Sequence, residues 1–198
     1  MTPMTSLRLP AAERRRAIVG AALRVFSEGS YAGATTAQIA REAGVSEPIL
    51  YRHFASKREL YFACLDEAWR RIRDRIDEQM EKLGAQQGWC AIGPATMREV
   101  KVLLPSLWMQ AITEAGEDPK IRRHVLGHMR EVHDYFADML RRAQAEGGIH
   151  ADRDVDAEAW IFVAGSLLVS IADRLGGPLR GDDFEAIKAQ RIRWLKGD

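Results

Sequence analysis

The chain has 198 residues, 46% of them hydrophobic, enough for a sizeable core and for one large domain or two small ones. The formal net charge of +1 hides an asymmetry: residues 1–62 carry 9 Lys+Arg against 5 Asp+Glu, net +4, and residues 63–198 carry 20 against 23, net −3. Two cysteines exclude a disulfide framework and fit a reducing, cytoplasmic setting. The longest apolar run, Trp160 to Ile171, is interrupted by Gly165, Ser166 and Ser170 and is too short to cross a bilayer, and no charged-then-apolar signal segment opens the chain.

Residues 1–9 show no periodicity and are read as disordered or loosely attached. A first helix is expected from about Pro10 to Ser27 or Glu28, with a core stripe of Ile18, Ala21, Ala22, Val25 and Phe26 and Gly29 after its end. Arg14, Arg15 and Arg16 sit near the positive end of that helix dipole, either compensated by phosphate or simply solvated. Residues 35–57, TTAQIAREAGVSEPILYRHFASK, are the most densely punctuated stretch of the chain. Thr35 with Gln38 fits a capping box and starts a second helix, and Gly44 turns the chain at positive φ. Ser46 then reads as the N-cap of a third helix, with Val45 and Leu50 as a hydrophobic staple.

At 100° per residue Leu50 and Phe54 fall on the inward face of this third helix. Pro48 and Arg52 lie opposite, flanked by Glu47, Ile49, Tyr51 and His53. A cation, two aromatics and a first-turn proline suit insertion into a groove better than plain solvation. Helix, glycine turn and helix is the helix-turn-helix arrangement.

A second capping box, Ser56 and Glu59, opens a long fourth helix to about Lys82, roughly 40 Å at 1.5 Å per residue. It carries Tyr61, Leu65, Ala68, Trp69, Ile72 and Ile76 on one side. Lys57 at its N-terminus combines a cation with unpaired N–H groups and is read as a phosphate clamp. Gly84 to Gly93 is expected to be a loop. Pro94 then starts a helix, and Pro105 divides residues 94–116 into two. Asp118 caps and Pro119 starts a seventh helix, striped by Ile121, Val125, Met129, Val132, Phe136, Met139 and Ala143 and ended by Gly147 and Gly148.

Asp154 caps an eighth helix, to about Leu175, that is apolar around most of its circumference and so needs burial on two sides. One side meets the body and the other meets a second copy of the chain, where Ala164 and Gly165 allow close approach. A last helix from about Asp183 places Phe184, Ile187, Arg191 and Leu195 along one side. No repeat, low-complexity tract or sheet signal interrupts this all-α pattern.

The segment Gly44, Val45, Ser46, then Leu50, Tyr51, Arg52, His53, Phe54, then Ser56, Lys57 and Leu60, resembles the DNA-binding signature of TetR-family transcriptional repressors. The match spans about residues 11–62; elsewhere the likeness is in length and helical layout. The resemblance implies an all-α, nine-helix architecture. It would comprise a helix-turn-helix domain at 1–56 and an effector-binding and dimerisation domain at 57–198, the two connected by the fourth helix. By analogy Glu47, Pro48, Ile49 and Arg52 approach base edges of double-stranded DNA, with Ser46 capping their helix, while Thr36, Tyr51, His53 and Lys57 hold phosphates.

The same resemblance places a small-molecule cavity in the body. Its expected lining is Trp89, Met97, Leu104, Trp108, Met109 and Ile112, then Met129, His133, Phe136, Trp160 and Val163. Each residue taken alone also suits ordinary core. Together they suit a mostly apolar or aromatic effector. Dimerisation is expected through the last two helices, using Ala164, Leu168, Ile171, Leu175, Phe184, Ile187, Arg191 and Leu195.

No P-loop, dinucleotide turn, nucleophile elbow or H-E-x-x-H occurs, so no catalytic residue and no cofactor are expected. His124 and His128 share a helix face, but without a clear third ligand they are read as solvated or pocket-lining rather than metal-binding. The expected protein is a homodimeric, ligand-responsive repressor on a palindromic operator. A sequence-independent DNA-binding architectural protein and a helical enzyme are the alternatives.

Overall fold

The computed structural model describes residues 10–91, 104–176 and 181–197. Among them lie nine helices and no strand: α1 Ala11–Glu28, α2 Thr36–Glu42, α3 Glu47–His53, α4 Lys57–Leu83, α5 Ala85–Ala91, α6 Leu104–Glu114, α7 Pro119–Ala145, α8 Val155–Arg174 and α9 Gly181–Lys196. The expected Pro94 helix, Met97 and the Leu104 side chain fall outside the described residues.

The chain packs as two units, Met1–Glu67 and Ala68–Asp198. The first takes in the opening turns of α4 as well as the three helices before it. In this unit the periodic positions of α1, Ile18, Ala21, Ala22, Val25 and Phe26, are buried together with Ile39, Leu50, Phe54, Leu60 and Tyr61. Phe26 meets Tyr61 edge-on with ring centroids 5.1 Å apart, and Tyr31 lies 4.6 Å from Tyr61. These rings seat the α1–α2 loop on α4, beyond what apolar area alone would do.

Caps set the helix boundaries. Thr35 Oγ1 accepts from Gln38 N at 3.1 Å and starts α2. Its end is a Schellman motif, with Val45 N donating to Ala40 O at 2.9 Å, Gly44 N to Arg41 O at 3.1 Å, and Gly44 at φ +67°, a conformation that costs any other residue. Ser56 Oγ accepts from Glu59 N, and Glu59 Oε2 reaches back to Ala55 N at 2.8 Å. The return bond thus lands one residue before the capping serine. Ser46, by contrast, stands at the N-cap of α3 but makes no side-chain capping bond.

The second unit has its core along α4, α7 and α8, with Trp69, Ile72, Ile76, Phe136, Leu140, Ala159 and Val163 buried. Polar ties pin α4 to α7: Trp69 Nε1 donates to Glu131 Oε1 at 3.1 Å, and the Tyr135 hydroxyl donates to Asp77 Oδ1 at 2.7 Å. Burial first, and the Asp77 carboxylate second, push the Tyr135 phenol well above its ordinary pKa. Asp118 caps α7 through Lys120 N, and Asp154 caps α8 through Asp156 N and Ala157 N.

The stretch read as a loop after Gly84 forms α5 instead. Gly84, at φ +73°, ends α4, and Ala85 to Gln87 re-enter helix because those residue types favour it. Trp89 anchors the turn, fully buried, with its Nε1 donating to Gln86 O at 3.1 Å. Close approach needs glycine on the partner strand of chain: a Cβ built on Gly148 would lie 2.5 Å from Gln86 O. Two glycines, Gly84 and Gly88, within five residues masked this short helix in the sequence.

Candidate nucleic-acid interface

On α3 the inward and outward faces fall where the 3.6-residue period puts them. Leu50 and Phe54 are buried, Pro48, Tyr51 and Arg52 are exposed, and Glu47, Ile49 and His53 are half-buried. Arg24 pairs with Glu42 at 3.0 Å on the surface between α1 and α2, a contact worth at most about 1 kcal/mol when exposed. Arg15 lies 4.6 Å over the Phe54 ring. One of the three arginines early in α1 therefore covers the edge of the core.

Three of the four expected phosphate holders, Lys57, Thr36 and Tyr51, have their polar groups engaged within the head. Lys57 Nζ donates to Tyr31 O at 2.8 Å, to Ala34 O at 3.1 Å and to Ala32 O at 3.4 Å, and it sits 4.6 Å over the Tyr31 ring. An ammonium has three protons to give, and here the carbonyls of the α1–α2 loop receive them. Thr36 Oγ1 donates to Glu47 Oε1 at 2.6 Å and lies 3.1 Å from the Tyr51 hydroxyl. Thr36 and Tyr51 thus tie α2 to α3. Sequence spacing held no signal for either arrangement, because the partners stand 26 and 11 residues away and meet only in the fold.

The body residues divide in the same way. Phe136 and Val163 are buried, Met109, Met129 and Trp108 are half-buried, and Ile112 and Trp160 are exposed. Trp108 stands 5.0 Å from the His128 ring, Trp69 is edge-on to His128 at 6.1 Å, and Phe136 stacks on Phe162 at 5.4 Å. Trp89 belongs to the α5 anchor. His133, 9% exposed, has Nδ1 2.9 Å from Asp134 Oδ1 and Nε2 3.1 Å from Asp156 O, and it stacks under Trp160 at 4.4 Å. It therefore joins α7 to the start of α8. No cluster of three or more His, Cys, Asp or Glu suited to a metal occurs among the described residues.

Of the residues expected at a self-interface, Ala164, Leu168, Ile171, Leu175 and Ile187 are exposed and Phe184 is half-buried. Leu195 departs from that expectation: it is fully buried in the body core, where the carbonyl of its own residue accepts from His150 N at 2.8 Å. Arg191 departs as well, pairing within the chain with the buried Glu158 carboxylate, whose Oε1 also accepts from Trp194 Nε1 at 3.0 Å. Burial lowers the Arg191 pKa from its ordinary value. Arg191 thus joins α9 to α8, and Leu195 joins it to the loop before α8.

Among known proteins, the family of "Bacterial regulatory proteins, tetR family" matches residues 18–64. The transcriptional activator FasR of Mycolicibacterium smegmatis is 52% identical over 58 residues, 29% of this chain and 26% of that protein. This chain therefore spans about a quarter of that relative. The regulator SrpR of Pseudomonas putida is 30% identical over 157 residues, covering 77% of this chain and 71% of its own. In structure, GusR of Salmonella enterica superposes with a TM-score of 0.75 at 21% identity, covering 98% of this chain and 100% of that one, which carries the fold. With the family model matching its helix-turn-helix head and a relative 30% identical over 71% of that relative's length, the chain belongs to the tetR family of bacterial regulatory proteins.

Proposed function

We propose that the protein is a homodimeric, ligand-responsive repressor that holds a palindromic DNA operator through two copies of α3 and acts in the cytoplasm. The observation that carries this reading is the outward face of α3, where Pro48, Tyr51 and Arg52 stand exposed on a helix whose opposite side is locked into the head by Leu50 and Phe54. Arg52 is the residue for direct readout, since a guanidinium pairs bidentately with guanine O6 and N7. His53, half-buried at the end of α3, is the residue to meet phosphate, which supplies affinity without sequence preference.

The self-interface is the row Ile161, Ala164, Leu168 and Ile171, exposed along α8, with Leu175 just past its end, at alternating spacings of three and four that suit helix-on-helix packing. Apolar area of this kind is costly on a single chain in water. A twofold dimer places two heads on one duplex, and an inverted repeat is the matching target. The effector is mostly apolar or aromatic and sits among the Trp108, His128, Phe136 and Phe162 rings of the body. It need only favour the state whose heads are wrongly spaced, at a coupling of about 1–3 kcal/mol.

Selection from random duplexes with the purified protein tests the reading. An inverted repeat should emerge, bound about a thousandfold or more above unrelated duplex, and Arg52→Ala should flatten one base position in each half-site. Similar affinity for every duplex would instead indicate an architectural DNA binder. FasR is named an activator, and its likeness covers 29% of this chain. A promoter fusion with and without the chain reports the sign of regulation directly, and activation would overturn the repressor part of the proposal.

A further inference from the structure

Thr36 is the first residue of α2, and Glu47 the first of α3. The Thr36 hydroxyl donates to Glu47 Oε1 at 2.6 Å and lies 3.1 Å from the Tyr51 hydroxyl. A threonine hydroxyl carries a single proton, and an ionised carboxylate can only accept. That proton therefore belongs to the Thr36–Glu47 bond, and the Tyr51 phenol must be the donor to Thr36 Oγ1. The three groups form one directed chain, from Tyr51 through Thr36 to Glu47.

Two consequences follow for DNA. Neither Thr36 nor Tyr51 keeps a proton to give to a phosphate, so in the free head they are not phosphate donors. Glu47 is held by a short charge-assisted bond, half-buried on the helix that carries Arg52. A carboxylate brought to a duplex is repelled by phosphate and by the carbonyl edges of guanine and thymine, and it is welcomed only by a base amino group. In the major groove adenine N6 and cytosine N4 are the amino donors, but adenine N7 beside N6 is an acceptor that repels a carboxylate, so the fitting partner is cytosine N4.

We propose that Thr36 is a positioning residue for base selection: with Tyr51 it fixes the Glu47 carboxylate, which then demands cytosine at one position of each half-site. The proposal rests on the DNA-binding function put forward above. It assigns Thr36 and Tyr51 to specificity, acting through Glu47, rather than to general affinity. Pre-organisation is the physical gain, since a carboxylate free to rotate could turn to solvent and tolerate the wrong base.

The test is the random-duplex selection repeated with wild type, Thr36→Val, Thr36→Ser, Tyr51→Phe and Glu47→Gln, each checked by thermal melting. Wild type should favour cytosine at one position per half-site by roughly tenfold. Thr36→Val should reduce that preference to roughly threefold or less, with the other positions and the salt dependence unchanged, and Thr36→Ser should restore it. Glu47→Gln should abolish the preference. Tyr51→Phe removes only the outer donor, so it should weaken the same position partially and keeps the proposal testable should Thr36→Val not fold.

If Thr36→Val weakens all duplexes alike and leaves every base preference intact, Thr36 holds phosphate and the proposal is wrong. An unchanged motif with unchanged affinity also overturns it. A wild-type protein that recovers no shared motif removes the underlying function and the proposal with it. That failure is distinct because it shows before any variant is compared.

Discussion

At Lys57 the geometry of one ammonium bears on two roles. Its three donors reach the carbonyls of Tyr31, Ala32 and Ala34 and its charge rests over the Tyr31 ring, so it holds the α1–α2 loop against the start of α4. Lys57→Ala should therefore cost about 1.5–3 kcal/mol of stability, the range for hydrogen bonds to a charged group, measured by urea unfolding. The slope of log affinity against log salt should stay as it was. A slope reduced by about one unit, with stability unchanged, would return Lys57 to the phosphates.

The same scale explains what the amino-acid sequence made legible. The inward pair Leu50 and Phe54 and the outward Pro48 and Arg52 follow from helical period alone. The engagements of Lys57, Thr36 and Arg191 do not, since each depends on a polar partner from another element that only the fold brings within 3.5 Å. Residue type announces a donor, and it takes the packed chain to say which acceptor receives it.

Among elements, α8 shows how an unmet need for burial can be read. Its inner side, Ala159, Val163 and Ala172, is buried, while Ile161, Leu168, Ile171 and Leu175 stay exposed in the single chain. Ala164 lies in the middle of that exposed row, where a long cation would be forced between two apolar helices. Ala164→Arg should give monomers in sedimentation velocity while leaving the melting of the chain's own helices largely intact. A dimer that survives this change would place the self-interface elsewhere.

Long helices with clear caps were the easiest to locate. α4 and α7 begin within a residue of their capping signals, Ser56 and Asp118, and α7 ends at the Gly147 and Gly148 stop. α5 is masked in the sequence by Gly84 and Gly88, which read as loop signals, and its stability comes from Trp89 and from the space left by Gly148, both tertiary effects. For α9 the sequence places the helix but not its contacts. Its register is set by the Glu158–Arg191 pair and by Leu195, and a stripe of four residues leaves that angle open.

For the whole molecule, the charge asymmetry and the two packed units describe a division of labour: a basic head built for a duplex and a larger body that carries both the aromatic cluster and the exposed α8 row. Duplication through that row is what would turn one modest contact into a site of defined spacing, because two linked heads bind as one. The proposed effector response belongs to this scale as well, since it acts on the separation of the heads and not on any base contact.

Sedimentation of a labelled palindromic duplex with increasing protein tests that central claim most directly. The account predicts complexes containing two chains per palindrome, or a multiple of two, with no stable single-chain species, and loss of that binding in Ala164→Arg. A single chain bound to the palindrome with undiminished affinity would contradict it.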